Sequence, residues 1–149
     1  MRLEYSATAK ARPEQIWKVF EKLEQWAWWN PAVGKTKWTS GQPWQKGSHF
    51  DMQLERPLRK TFDCEVLEAS PTKVGWVGKG PLFRGEHWFS FEAQPDGSTL
   101  MKTWEDFSGL APKFFGNGTK SGIVEIYKVW FERLAAEAEK IAREELARA

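Results

Sequence analysis

The chain has 149 residues, 41% hydrophobic and 28% charged, a length and balance that suit one domain able to bury its own core. The formal net charge is only +2 and the charges are scattered along the sequence without a Lys/Arg block, so nucleic-acid binding and membrane-surface binding have no electrostatic support. A single cysteine, Cys64, excludes an intramolecular disulfide, argues against a cysteine-based metal site and fits a cytoplasmic location.

Residues 1–10 alternate polar and apolar side chains, with Leu3, Tyr5, Ala7 and Ala9 on one face. This pattern predicts a first strand, and it lacks the apolar run of a signal peptide. Pro13 opens a helix, where its missing N–H costs nothing, and Ile16, Trp17, Phe20 and Leu23 give that helix an apolar face. A short second helix is predicted over 24–28. It ends at Asn30-Pro31, because the residue before proline is pushed out of the helical region.

Strands are predicted at 35–40, 48–55, 60–68, 73–78, 85–93 and 99–108. Turns separate them at Gly41-Gln42-Pro43, Arg56-Pro57-Leu58 and Ser70-Pro71-Thr72. Gly80-Pro81-Leu82-Phe83 reads as a loop. Between the last two strands, Gln94-Pro95-Asp96-Gly97-Ser98 reads as a hairpin turn in which proline presets one φ and glycine takes a positive one. Residues 109–118 form a connection containing Leu110, Pro112, Phe114 and Phe115. A long helix then runs from about residue 120 to the end, with Ile123, Ile126, Tyr127, Trp130, Leu134, Ala138 and Ile141 on one stripe. Its second half is charged, with Glu139–Arg143 and Glu144–Arg148 spaced for i,i+4 pairs. No apolar stretch approaches the roughly 18 residues a membrane span requires.

Closely connected strands imply an antiparallel sheet, and one apolar face per strand implies one covering layer, for which the long helix is the candidate. The expected architecture is α+β: a curved antiparallel sheet of about seven strands wrapped on a long C-terminal helix, with two short helices after the first strand, in one domain spanning 1–149. Ten Trp and ten Phe stand against two Tyr, more than a small core needs, so several Trp are expected at an apolar cavity or its mouth.

Three passages resemble the START-like (SRPBCC) superfamily of helix-grip proteins, which includes the polyketide cyclase/dehydratase and lipid transport-like proteins. Pro13-Glu14-Gln15-Ile16-Trp17 through Trp29-Asn30-Pro31 is similar to that family's opening helix pair. Gly85-Glu86-His87-Trp88-Phe89-Ser90-Phe91, Gly97-Ser98-Thr99 and Thr103-Trp104-Glu105-Asp106-Phe107-Ser108-Gly109 are similar to its last two strands. The C-terminal helix completes the likeness. The resemblance implies a helix-grip fold enclosing a cavity and leaves function open, since one fold carries many functions.

Strand parity points Phe50, Met52 and Leu54 inward, with Phe62, Cys64 and Val66, Val74 and Trp76, His87, Phe89 and Phe91, and Met101, Thr103, Glu105 and Phe107. Among them the candidate ligand-binding set is Phe50, Met52, Phe62, Trp76, Phe89, Phe91, Met101, Thr103 and Phe107, with Trp130 from the helix. His87 and Glu105 lie on the two strands joined by the Pro95–Ser98 turn. They form the candidate catalytic pair, Glu105 as base and His87 as acid, with a hydrogen-bonded structural pair as the alternative. His49 falls on the outer face. No metal site and no cofactor is expected, because no carboxylate–histidine cluster, P-loop or dinucleotide fingerprint is present. Gly75-Trp76-Val77-Gly78-Lys79-Gly80 does not open a helix and is not a phosphate loop.

The leading functional expectation is a carrier of a small apolar molecule such as a lipid, an isoprenoid or a polyketide-like aromatic. The alternative is a polyketide cyclase/dehydratase-type enzyme, and a protein-interaction module is the third reading. No nucleic acid and no membrane span is expected, and homo-oligomerisation is left open. The loops at 80–85 and 109–118, glycine-bounded with apolar residues inside, are read either as a gate over the cavity or as segments that simply close the core.

Overall fold

In a computed structural model that describes residues 1–56 and 59–149, the chain folds as seven strands, two α-helices and two 3₁₀ turns. Strand β1 (Arg2–Ala9) leads to α1 (Pro13–Phe20) and a 3₁₀ turn over Leu23–Trp28. Strands β2 (Val33–Ser40), β3 (His49–Leu54), β4 (Lys60–Ala69), β5 (Lys73–Gly80), β6 (Phe83–Ala93) and β7 (Thr99–Ser108) follow. A second 3₁₀ turn (Ala111–Phe114) leads into α2 (Asn117–Arg148). The predicted turn at Arg56-Pro57-Leu58 falls partly on residues outside those described.

The strands form one antiparallel sheet in the order β1-β7-β6-β5-β4-β3-β2. This is a meander closed at one side by the first strand pairing with the last, and α2 lies across its concave face. The α+β helix-grip architecture expected from the sequence is the one observed. Residues predicted to point inward do so: Phe50, Cys64, Val66, Val74, Trp76, His87, Phe89, Phe91, Met101 and Thr103 are all buried. The helix buries Tyr127, Trp130, Phe131, Leu134 and Ala138, the stripe that faces the sheet.

Several boundaries differ from expectation for physical reasons. The Gly80–Phe83 segment is a tight hairpin in which Gly80 and Phe83 are themselves paired, so β5 and β6 are longer than the loop reading allowed. Helix α2 starts at Asn117, with Gly116 as its extended N-cap, so Asn117 and Gly118 are helical despite low intrinsic propensity. The Glu139–Arg143 and Glu144–Arg148 pairs do not form among the described residues. Instead, Glu139 accepts the Lys10 backbone N–H at 2.7 Å, and Glu145 accepts Lys18 at 2.9 Å, so the polar half of α2 ties back to the residue after β1 and to α1.

The excess of tryptophan also has a different destination. Trp17, Trp26, Trp38 and Trp44 gather with Phe20 and Phe50 at one end of the sheet, with ring centroids 5.0–6.2 Å apart. Trp44 holds φ at 61°, a strained conformation for a bulky residue. Its position is fixed by the indole N–H, which donates to the Glu21 carbonyl at 2.7 Å, and by the rings packed around it. This aromatic block fills one half of the space between sheet and helix and leaves the other half open.

Candidate functional site

The open half is a cavity of about 380 Å³ between the N-terminal part of α2 and strands β3 to β7. That volume lies within the range of small-molecule sites. Met52, Phe62, Trp76 and Phe107 supply sheet-side wall, and Ile123, Ile126 and Trp130 supply helix-side wall. Two glycines make the room. Gly78 and Gly85 are paired neighbours on β5 and β6, both on the inner face, and both line the cavity. A Cβ on Gly85 would lie 3.0 Å from Glu105 Oε2 and 3.0 Å from the Phe83 ring, so a side chain here would crowd both and push them back by a few tenths of an ångström.

The polar groups of the cavity converge on one wall. The hairpin turn sets a register in which His87 faces Glu105 directly across β6 and β7. Its geometry is the one the turn residues dictate: Gly97 takes φ of 88°, and Asp96 accepts from the Ser98 N–H and hydroxyl. Tyr127, from α2, donates its hydroxyl to Glu105 Oε1 at 2.6 Å. His87 Nδ1 stands 3.7 Å from the same oxygen, which is too long for a hydrogen bond.

The tautomer of His87 follows from its other partner. Thr103 gives its one hydroxyl proton to the Trp88 carbonyl at 2.9 Å, so at 2.8 Å it accepts from His87 Nε2–H. Nδ1 is left with a lone pair towards Glu105. Burial drives the imidazole down to about 3, so His87 is neutral at neutral pH. Burial also pushes the Glu105 carboxyl up to about 7, against the opposing effect of the Tyr127 hydrogen bond. No Lys or Arg pairs with Glu105 among the described residues. The wall therefore offers a carboxyl poised between its two protonation states, a phenol and an imidazole acceptor. The Trp130 indole N–H, buried without a partner in a side chain that lines the cavity, is a further donor.

The sequence-derived site residues divide in two. Met52, Phe62, Trp76, His87, Glu105, Phe107 and Trp130 line the cavity. Phe50, Phe89, Phe91, Met101 and Thr103 share the inward face but lie outside the lining, packed in solid core, with Thr103 engaged by His87. Among the described residues, Trp76 and Trp130 are the tryptophans that line the cavity. Cys64 lines it as an apolar group whose thiol burial pushes up, away from reactivity. Sequence reasoning missed Tyr127 as a site residue. The available signal was a phenol, one of two in the chain, on an apolar helix stripe where its hydroxyl needs a partner. It also passed over Gly78 and Gly85, whose signal is glycine inside a strand. Among the described residues, no three His, Cys, Asp or Glu side chains gather as a metal-ion site, and no helix is long and apolar enough to cross a membrane.

The lining is completed by Leu54 and Lys60 at the β3–β4 end, Phe83 of the β5–β6 hairpin, and Ala111, Phe115 and Thr119 before and within α2. The segments 80–85 and 109–118 both contribute to this lining and touch each other, the Ala111 N–H donating to the Leu82 carbonyl at 2.9 Å.

Residues 1–139 match the family described as polyketide cyclase / dehydrase and lipid transport. No curated protein matches the chain. Among solved structures, a START superfamily protein from Mycobacterium smegmatis superposes with a TM-score of 0.77 at 18% identity, covering 94% of this chain and 98% of the other. A hypothetical protein from Helicobacter pylori gives 0.80 at 12% identity over 93% and 88% of the two chains. The Zhui aromatase/cyclase from Streptomyces sp. R1128 gives 0.76 at 12% identity over 94% of each. At these identities the likeness is one of fold.

Proposed function

The chain belongs to the polyketide cyclase / dehydrase and lipid transport family, and on that premise we propose that it holds one small, largely apolar molecule whose single polar end meets Glu105 and Tyr127. The observation that carries this reading is the one-sided cavity. Its walls are mostly apolar, with Glu105, Tyr127 and His87 together on one side and Lys60 and Thr119 as the other polar lining residues. An apolar body is favoured by the lining, and a hydroxyl or carbonyl oxygen is favoured by groups that can donate and accept. The same chain, 1–149, acts as one ligand-binding domain.

A second reading is favoured by one specific feature, the Glu105 carboxyl held near 7. A group with that pKa can take and return a proton at neutral pH, so the bound molecule can also be the substrate of an acid–base step such as cyclisation or dehydration. In that reading Glu105 alone exchanges the proton. Neutral His87, with its N–H committed to Thr103, accepts a hydrogen bond and is not the acid.

The test is Trp emission titrated with fatty acids, flavonoids, isoprenoid quinones and polyketide aromatics, since Trp76 and Trp130 line the cavity. Quenching at low micromolar concentration that weakens about tenfold in Glu105→Gln supports the polar-end assignment, taking one charge-assisted hydrogen bond as the difference. Unchanged binding in Glu105→Gln, with the ligand converted by the native protein and not by the variant, supports the enzyme reading. No quenching across the panel contradicts both.

A further inference from the structure

Several lysines that are dispersed in the sequence belong to the segments that line the cavity or adjoin its lining. Lys60, Lys79, Lys113 and Lys120 lie on four elements (β4, β5, the second 3₁₀ turn and α2), yet each lines the cavity or lies within a few residues of a group that does. Lys60 lines the cavity itself. Lys79 sits on the hairpin that carries Phe83, Lys113 lies between Ala111 and Phe115, and Lys120 follows Thr119. None of the four has a carboxylate partner among the described residues, whereas the nearby Arg59 and Arg84 are paired with Glu55 and Glu86. The segments 79–84 and 109–124 contain no acidic residue at all.

Apolar side chains project from the same rim. Phe114 is 80% exposed, Leu82 57% and Leu110 51%, three of the six large hydrophobics that stand exposed among the described residues. Their backbones are held together. The Leu82 carbonyl accepts the Ala111 N–H, and Gly109 reaches φ of 99° to pass against Leu82, where a Cβ would sit 2.7 Å from that carbonyl. Exposed apolar side chains on segments that carry lysines and no acidic residue match the interfacial zone of an anionic bilayer, where acyl chains lie beneath negative headgroups.

We propose that this rim docks on an anionic lipid bilayer, with Leu82, Leu110 and Phe114 entering the headgroup–acyl boundary and the cavity mouth facing the lipid. The surface stands by itself, whatever molecule the cavity holds. The membrane is the source or destination to which the mouth opens, and the four lysines set its sign.

The experiment is co-sedimentation of the full chain with phosphatidylcholine vesicles, with and without phosphatidylglycerol. Binding is expected only to the anionic vesicles and is expected to fall as salt rises. Changing Lys79, Lys113 and Lys120 together to Gln should weaken it on the order of 100-fold, taking each lysine near the surface at its usual worth. Leu82→Ser with Phe114→Ser should weaken it at least about tenfold. A second readout does not depend on these variants. Because the one cysteine, Cys64, is buried, Phe114→Cys takes a nitroxide label selectively, as does Leu146→Cys at the far end of α2. On anionic vesicles the label at 114 should lose accessibility to an aqueous nickel complex and the label at 146 should not. Binding to neither vesicle, equal binding to both, retention on immobilised heparin without vesicle binding, or protection at 146 and not at 114 would each overturn the proposal.

Discussion

The hydroxyl of Tyr127 donates to Glu105 Oε1 at 2.6 Å, joining the long helix to the last strand at the polar wall of the cavity. This bond favours the charged carboxylate, while burial of Glu105 opposes it more strongly, and the balance leaves the carboxyl at about 7. Tyr127→Phe removes the favourable partner and leaves the burial. The Glu105 titration, read by carbon-detected NMR, should move above 7, and stability at pH 8 should fall by about 1–3 kcal/mol. A downward shift would mean that the phenol is not what stabilises the carboxylate.

Stability should depend on pH through two opposing groups. Glu105 rises from 4.5 to about 7 on folding, so the folded state binds the extra proton and stability falls as pH increases across that window. His87 drops from 6.5 to about 3, so the unfolded state binds the extra proton and stability rises with pH across that one. Between 4.5 and 6.5 the two slopes offset each other. Glu105→Gln should unmask the rise and gain on the order of 3 kcal/mol at pH 8. His87→Gln, which keeps a donor for Thr103, should unmask the fall. Urea denaturation across pH reads both slopes, and identical profiles for the three proteins would contradict the assignment.

Trp130 is the hinge between core and cavity. It is 1% exposed, packs 5.3 Å from both Trp26 and Phe89, and lines the cavity with its remaining surface. Trp130→Ala should cost roughly 3–5 kcal/mol. Its urea midpoint should fall with m unchanged, which distinguishes a void in an intact fold from a loosened one.

Gly85 and Gly78 give a paired test of cavity shape. Gly85→Ala places a methyl against Glu105 Oε2 and Phe83, and should destabilise by about 1–3 kcal/mol while displacing the carboxyl. Gly78→Ala meets nothing closer than the Cys64 sulfur at 3.8 Å, an ordinary contact, and should be tolerated. Crystal structures of both, with melting temperatures, check the contrast.

Which side chains face inward was legible because strand parity is strict. Met52, Phe62, Trp76, His87 and Glu105 all share the face that their period-2 pattern assigns, and the Pro95–Ser98 turn carries the register that sets His87 opposite Glu105. Position along that face was not legible. Phe50 and Met52 are two residues apart on one strand, yet one abuts the tryptophan block and the other lines the cavity. The difference comes from Trp44 and Trp26, which reach in from a loop and a 3₁₀ turn. Nor does helix periodicity show where a side chain ends: it puts Tyr127 on the buried stripe, but the partner of its hydroxyl depends on how α2 rotates over β7. The proposed rim was hidden for a related reason, since the contact between the segments that carry Leu82 and Ala111 exists only after folding.

The central claim is that the cavity is a binding site for one small apolar molecule. Native mass spectrometry of the protein purified gently from its own host tests it most directly. The account predicts a population heavier than the 17.3 kDa chain by one discrete small-molecule mass, removed by an organic wash and much reduced in Trp76→Arg, which puts a charge into the cavity wall. A single bare-chain mass from every preparation, with Trp76→Arg indistinguishable from the native protein in ligand uptake, would contradict it.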